Sequence, residues 1–350
     1  MSSSGAQYFL TCLEEAYGFP MRYLEEIEPR WLWRVGTPEG GVCLKCFRKR
    51  NEAVTSAAAG QYVREHGFDS TPRVIPTKEG RLVVGPGTGN PAWYAVLFEW
   101  VPDAMPLSEV DAERRGPYME DVGRTLARFH VAIRGFGEWP LEHSVDGFLS
   151  RWERVRRLTE LLKAVLSEER RIHIAKRLAT GLALYEPMVA SSKARAEQLR
   201  GSIATVLESE RASRAQRHCD TIRGNFLISP KGVTLLDLAE VEPGPRVQDV
   251  ASAAWALAWD DDEAVRTLRA YQVVAPLSDD EIALIPIVRD PVLAWGTLLE
   301  GYLSGDWTED MLTAYCDGSV SQPERISQRL DVVARELRNL PTDGRSKAGR

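Results

Sequence analysis

The stretch from Arg217 to Asp249, RHCDTIRGNFLISPKGVTLLDLAEVEPGPRVQD, constrains this chain more than any other. Its run FLIS, branched and aromatic, predicts a short strand, Pro230-Lys231-Gly232 a turn, and VTLLD a returning strand that ends on Asp237. Such a hairpin returns Asn225, at its start, and Asp237, at its end, to one edge. An amide oxygen and a carboxylate there are hard ligands suited to magnesium carrying a nucleotide. Asp220, on the loop just upstream, is placed to accept the proton of an attacking hydroxyl. Taken alone, His218-Cys219-Asp220 is also what an ordinary polar turn contains; the continuation through Asn225 and Asp237 favours the catalytic reading.

With 350 residues the chain exceeds what one small core holds, so two lobes are expected. A net charge of -6 argues against a protein built to coat nucleic acid. The five cysteines are odd in number and scattered, which fits a reducing compartment better than a disulfide framework. Cys43 and Cys46 form a C-x-x-C, but on a strand they point to opposite faces and cannot share a metal. The start, MSSSGAQYFL, lacks the pattern of a signal peptide, and no apolar run approaches the length of a membrane span, so a cytoplasmic protein is expected.

In chain order, residues 6 to 17 have helical spacing, stopped at Gly18-Phe19-Pro20. WLWRV, a turn from Gly36 to Gly41 and VCLKCF predict a hairpin with Lys45 in its second strand, where a lysine can simply snorkel. A helix over 50 to 65 follows, with Gly67 at its C′ position. RVIP, RLVV and AWYAVLFEWV carry strand signals. The glycines of GPGTGN do not make a phosphate loop, because a strand and not a helix follows; a hairpin turn is expected. From Gly116 to Phe136 a helix carries Val122, Leu126, Phe129 and Ile133 on one stripe, with His130 read as a packed helix histidine. Residues 145 to 213 are helix-forming; their basic segment SRWERVRRLTELLKAVL is read as a solvated helix over a core rather than a membrane-surface helix. The last third is helical again, with Ser278-Asp279-Asp280-Glu281 opening one helix, and residues 341 to 350 read as a disordered tail.

The order H-x-D-x-x-x-x-N, strand, turn, strand, D resembles the protein-kinase and aminoglycoside-phosphotransferase superfamily. The resemblance implies an α+β bilobal protein-kinase-like fold. A small antiparallel N-terminal lobe with one helix, residues 1–101, would bind nucleotide, and a large, mainly helical catalytic lobe would span 102–340. It implies that Asp220 is the catalytic base, Asn225 and Asp237 are metal ligands, His218 structures the loop, and Asp249 of G-P-x-x-x-D braces it. Lys45 would hold the α/β-phosphates, and Glu99, Trp100 and Val101 would form the hinge beside adenine; Trp100 alone could equally be packing. Three departures stand out. Ala57, Ala58 and Ala59 occupy the helix middle where kinases place the lysine's glutamate partner. Ile222 stands where a Lys or His is common, with Arg223 beside it. The turn between the first two strands lacks G-x-G-x-x-G, which leaves triphosphate cover to Gly36, Gly40 and Gly41.

Further features narrow the resemblance: AYGFP, the strand pair ending in L-K, a helix closing on H-G-F, L-A-x-F-H, RAYQ-x7-SDDEIA and DPVLAWGTLLEGYL. Over roughly residues 6 to 340 the chain resembles the CotS family of spore-coat kinase-like proteins. That implies an ATP- and magnesium-dependent phosphotransferase acting on an alcohol group of a small molecule or coat component. Its partners would be nucleotide, a hydroxyl acceptor and spore-coat proteins, in the cytoplasm or the spore coat, with no nucleic acid and no membrane span. The departures also motivate a catalytically weak or inactive kinase-like scaffold for coat assembly. A housekeeping or aminoglycoside-type small-molecule kinase is the third reading.

Overall fold

The computed structural model describes residues 3–28, 31–85, 93–140, 144–166, 172–317 and 322–340. Its contacts divide the chain into two units, Met1–Gly137 with Gln216–Glu242, and Glu138–Ala215 with Pro243–Arg350. The hairpin stretch returns to the first unit.

That unit opens with α1 (Ser3–Tyr17), three residues earlier than its apolar spacing predicts. The strands β1 (Arg22–Glu28), β2 (Leu32–Thr37) and β3 (Gly40–Phe47) follow, then α2 (Arg50–Glu65), β4 (Val74–Ile75) and β5 (Tyr94–Glu99). They form one antiparallel sheet in the order β1-β2-β3-β5-β4. Strand β1 was not expected from the sequence. Register shifts at Tyr23/Glu25 and Glu26/Glu28 break the period of two by which a strand is recognised. RLVV, by contrast, contributes only the bridge Val84↔Ala95, and residues 86–90 of GPGTGN lie outside the described residues.

Alternation on the strands sorts the side chains onto two faces. Trp33, Val35, Val42, Leu44 and Cys46 pack with Leu10, Leu13 and Tyr17 of α1 on one side. Each aliphatic side chain buried in this way stabilises by roughly 1.5–3 kcal/mol. Phe47 and Val96 face the other side, where Ala53 and Ala57 of α2 lie against them. Cys43 and Cys46 accordingly sit on opposite faces, and burial pushes both thiols up to about 12, so they stay protonated. Helix α2 has the predicted bounds, and Gly67 at φ 83° lets the Phe68 N–H reach Val63 O at 2.9 Å.

After β6 (Met105–Pro106), α3 (Ala112–Ala132) begins four residues ahead of Gly116 and buries Val122, Leu126, Phe129 and His130. Strand β7 (Gln216–Arg217) pairs with β10 (Glu242–Pro243), while β8 (Phe226–Ser229) lies between β6 and β9 (Gly232–Leu235).

The second unit is helical: α4 (Val145–Leu166), α5 (Ile172–Gln198), α6 (Arg200–Ala212), α7 (Val247–Ser252), α8 (Asp261–Val274), α9 (Asp279–Val288), α10 (Pro291–Ser304), α11 (Glu309–Tyr315) and α12 (Pro323–Arg338). Helix α4 buries Trp152, Val155, Thr159 and Leu162, and its Arg156 pairs with Glu153 at 2.6 Å, as a solvated helix over a core should. Ser278 and Glu281 form a reciprocal capping box at the start of α9. No single helix among the described residues is long and apolar enough to cross a membrane.

Two packing features hold this unit. Trp295 of α10 stacks on Tyr185 of α5 at 5.2 Å, against Gly181; a Cβ there would sit 2.6 Å from the indole. Gly181→Ala is expected to destabilise by about 1–3 kcal/mol through overpacking, read as a lowered urea midpoint with an unchanged slope. Arg246 is buried between two carboxylates, with Nε 2.9 Å from Glu281 Oε1 and 3.3 Å from Glu210 Oε1. Burial opposes the charge of Glu281, but Arg246 and the Ser278 N–H outweigh it and hold this carboxyl below the usual range.

Candidate active site

The expected loop and hairpin form; the first strand is FLIS as expected, and the second, Gly232–Leu235, ends two residues before Asp237. The register Phe226↔Leu235 to Ser229↔Gly232 closes on Pro230 and Lys231, and Gly232 takes φ 114°. Asn225 ends a 3-10 turn (Arg223–Asn225) directly before β8, and Asp237 lies two residues beyond β9. The Leu236 N–H donates to Asn225 O at 2.8 Å, which ties the two ends of the hairpin together.

His218 is fully buried and works on the backbone. Its Nε2 lies 2.8 Å from Leu236 O, which requires the Nε2–H tautomer, and Nδ1 then accepts the Asp220 N–H at 3.2 Å. Phe129 meets the ring edge-on at 5.6 Å. The imidazole thus joins the backbone of Asp220 to the residue before Asp237. Asn225 adds a second tie, since its Nδ2 donates to Asp220 O at 2.8 Å and to Oδ2 at 2.7 Å. With its NH2 used there, the amide oxygen is what Asn225 can offer a cation.

Cys219 at φ 73° and Asp237 at φ 56° are both left-handed without being glycine. Backbone of this kind costs of order 1–3 kcal/mol per residue and persists where surrounding structure over-determines it. At Asp237 the determinant is visible. The 3-10 turn Leu238–Glu240 follows at once, and its Ala239 packs against the Phe47, Ala53, Ala57 cluster under β3.

This packing carries Asp237 to Lys45. Nζ lies 2.6 Å from Oδ1 in an ion pair, and this buried oxygen has no other hydrogen-bond partner among the described residues. Lys45 therefore does not snorkel away from the sheet. Nor does it pair with α2, whose carboxylates are engaged elsewhere, Glu52 with Lys49 at 2.9 Å and Glu65 with Gln61 at 2.7 Å.

The donor set fits a divalent cation. Asp237 Oδ1, whose close partner is the Lys45 ammonium, and the amide oxygen of Asn225 at the other end of the same hairpin are hard oxygen donors of the kind such an ion takes.

The remaining expected residues fall in different places. Glu99 ends β5, the strand beside Lys45's, where Lys45 pairs with Val96, and Trp100 and Val101 follow it outside the strand. The Glu99 N–H is taken by Arg73 O at 2.8 Å, and the Arg34 guanidinium lies over the Trp100 ring at 4.8 Å. Gly36, Gly40 and Gly41 belong to the turn between β2 and β3. The overlooked β1 displaces the count by one strand, so they are not the turn between the first two strands, and residues 29–30 of that turn lie outside the described residues. Ile222 is exposed, and Asp249 is buried in α7 within the second unit.

Glu240 was missed by the sequence reading. Its side chain reaches solvent, yet partial burial and the Asp220 and Asp237 carboxylates push its carboxyl above the usual range, with His218 acting the other way. Its spacing three residues after Asp237 was the available signal.

Comparison with known families decides what this arrangement belongs to: residues 21–282 match the phosphotransferase enzyme family. The chain belongs to that family. No curated protein matches the sequence. Among solved structures, an aminoglycoside phosphotransferase from Alicyclobacillus acidocaldarius is similar at TM-score 0.67 and 20% identity, covering 91% of this chain and 93% of that one. A spectinomycin phosphotransferase in complex with ADP and spectinomycin is similar at TM-score 0.64 and 11% identity, over 94% and 98%. An amicoumacin kinase in complex with AMP-PNP, Ca2+ and Ami is similar at TM-score 0.55 and 15% identity, over 92% and 94%. The fold of this phosphotransferase family member is therefore α+β and kinase-like, as its loop motif implies.

Proposed function

We propose that this protein transfers the γ-phosphoryl group of ATP to a hydroxyl of a small molecule or coat component, with Mg2+ as the bound ion. The observation that carries the reading is the convergence in one unit of Asp220, Asn225, Asp237 and Lys45, joined by the 2.7 Å Asn225–Asp220 and 2.6 Å Lys45–Asp237 contacts. Asp220, its backbone held by His218, orients the acceptor and takes its proton at a carboxylate oxygen. Asn225 and Asp237 would hold the cation, and the chemistry it would supply there is neutralisation of charge on the phosphoryl group. Lys45 holds the α/β-phosphates, and residues 99–101 line the base, with the nucleotide lobe ending near Val101.

The finer assignment is to the CotS type, cytoplasmic or coat-associated, and it rests on the flanking segments such as L-A-x-F-H and SDDEIA. A second reading is a non-catalytic scaffold, favoured by one observation: α2 presents alanines where a kinase lysine finds its glutamate. Thermal shift separates the two. ATP with Mg2+ at 100 times Kd is expected to stabilise the protein by about 2.7 kcal/mol, with Asp237→Ala losing the metal-dependent part. No stabilisation of the wild type at millimolar ATP and Mg2+ would leave the scaffold reading in possession.

A further inference from the structure

The face of the sheet that carries Lys45 also carries an arginine. Residues paired across antiparallel strands share a face, as do alternate residues along one strand. The registers Leu32↔Lys45, Arg34↔Cys43 and Cys43↔Phe98 therefore put Arg34, Cys43 and Phe98 on the Lys45 side, away from the core that packs on α1. Arg34 crosses this face. Strand β3 lies between β2 and β5, yet the guanidinium reaches the Trp100 ring just past the end of β5, 4.8 Å from its centroid. Gly41 leaves the path open: a Cβ built there would already touch Arg34 Nε at 3.4 Å and Trp100 Cγ at 3.5 Å, so a longer side chain would take the guanidinium's place. The polar contacts of Arg34 are slack. Its Nε is buried without a hydrogen-bond partner among the described residues, and Nη1 stands 4.0 Å from Glu25 Oε2, at the limit of an ion pair. Position along the strand then decides which part of a nucleotide this cation meets. Gly41, beneath the guanidinium, precedes Lys45 by four residues, roughly 13 Å at 3.3 Å per residue. Glu99, which pairs with Val42, marks the same end. That span separates the base of an extended nucleotide from its phosphates.

We propose, resting on the phosphotransferase reading, that Arg34 is a specificity residue of the nucleotide site: its guanidinium plane, backed by the Trp100 indole, is the surface on which the purine stacks. A guanidinium is planar and more weakly hydrated than an ammonium, so it can lie between two π-systems, one on each face. Bases stack on arginine planes as they do on aromatic rings. The base is then held on a cation set flat across β3, and Lys45, at the other end of the same face, is left to the phosphates. Removing the plane of Arg34 costs affinity for the base and leaves affinity for the phosphates.

Calorimetric titration with ADP and with pyrophosphate, each in the presence of Mg2+, tests this, since both ligands carry the diphosphate and one lacks the base. Arg34→Leu is expected to weaken ADP binding on the order of 10-fold and to leave pyrophosphate binding within about twofold of wild type. Arg34→Lys keeps the charge and loses the plane, so it should weaken ADP as the leucine variant does. The lysine variant also carries the test should the leucine variant not fold. Three results overturn the role of Arg34 and leave the phosphotransferase reading standing: ADP and pyrophosphate weakened by the same factor, ADP binding unchanged in both variants, or ADP affinity restored in full by lysine. Failure of wild type to bind ADP with Mg2+ at all overturns both.

Discussion

Asp220→Asn is expected to lower kcat by about 10²- to 10⁴-fold, the usual range for removing a positioned base, while the stabilisation by ATP and Mg2+ stays as in wild type. The amide keeps the shape of the side chain, and its oxygen can still accept from Asn225 Nδ2, now 2.7 Å from Oδ2. What it cannot do is take up a proton. Asp220→Ala should lose the same turnover and also slacken the loop, because one of Asn225's two bonds goes with the carboxylate, whereas the other, to Asp220 O at 2.8 Å, survives. A difference between the two variants in nucleotide KM therefore reads the structural part, and the kcat they share reads the chemical part. Turnover of Asp220→Asn equal to wild type would falsify the assignment of Asp220 as base.

The largest expected effect on stability lies in the second unit. Arg246→Met should cost about 3–5 kcal/mol at neutral pH, because it leaves Glu210 and Glu281 buried together without their cation. The pH dependence gives the mechanism away. In wild type the carboxyl of Glu281 is held below its ordinary range, so its contribution is present above the unfolded carboxylate pKa and is lost as pH falls through the depressed folded value. Without the Arg246 charge, desolvation outweighs the Ser278 N–H that remains and is expected to raise the folded pKa, so the variant instead loses stability as pH rises. Urea unfolding at pH 7 and pH 5 should therefore find the two proteins closer together at the lower pH. A gap that stays constant would point to lost packing rather than unpaired charge.

What the sequence made legible was local chemistry. The hairpin, the bounds of α2, the stripe of α3 and the Ser278 cap are each written within a few neighbouring residues, where a turn, a period or a capping pair is self-contained. Strand β1 was hidden because its bulges interrupt alternation, and losing it misplaced the three glycines by one turn. The partners of charged groups were illegible for another reason. Nothing near Lys45 in sequence names Asp237, 192 positions away, and nothing in Gly244-Pro245-Arg246 names Glu281 or Glu210. The alanines on α2 imply a missing partner for Lys45; the fold supplies a carboxylate from the hairpin instead.

The outermost position of β1 has its own consequence. Along this rim Glu25, Glu26 and Glu28 are all exposed, on one of the two edge strands of the sheet, whose far side carries no ladder among the described residues. Two molecules meeting rim to rim would bring six carboxylates into register, so while these are ionised the open border repels its own kind and is kept from seeding aggregates.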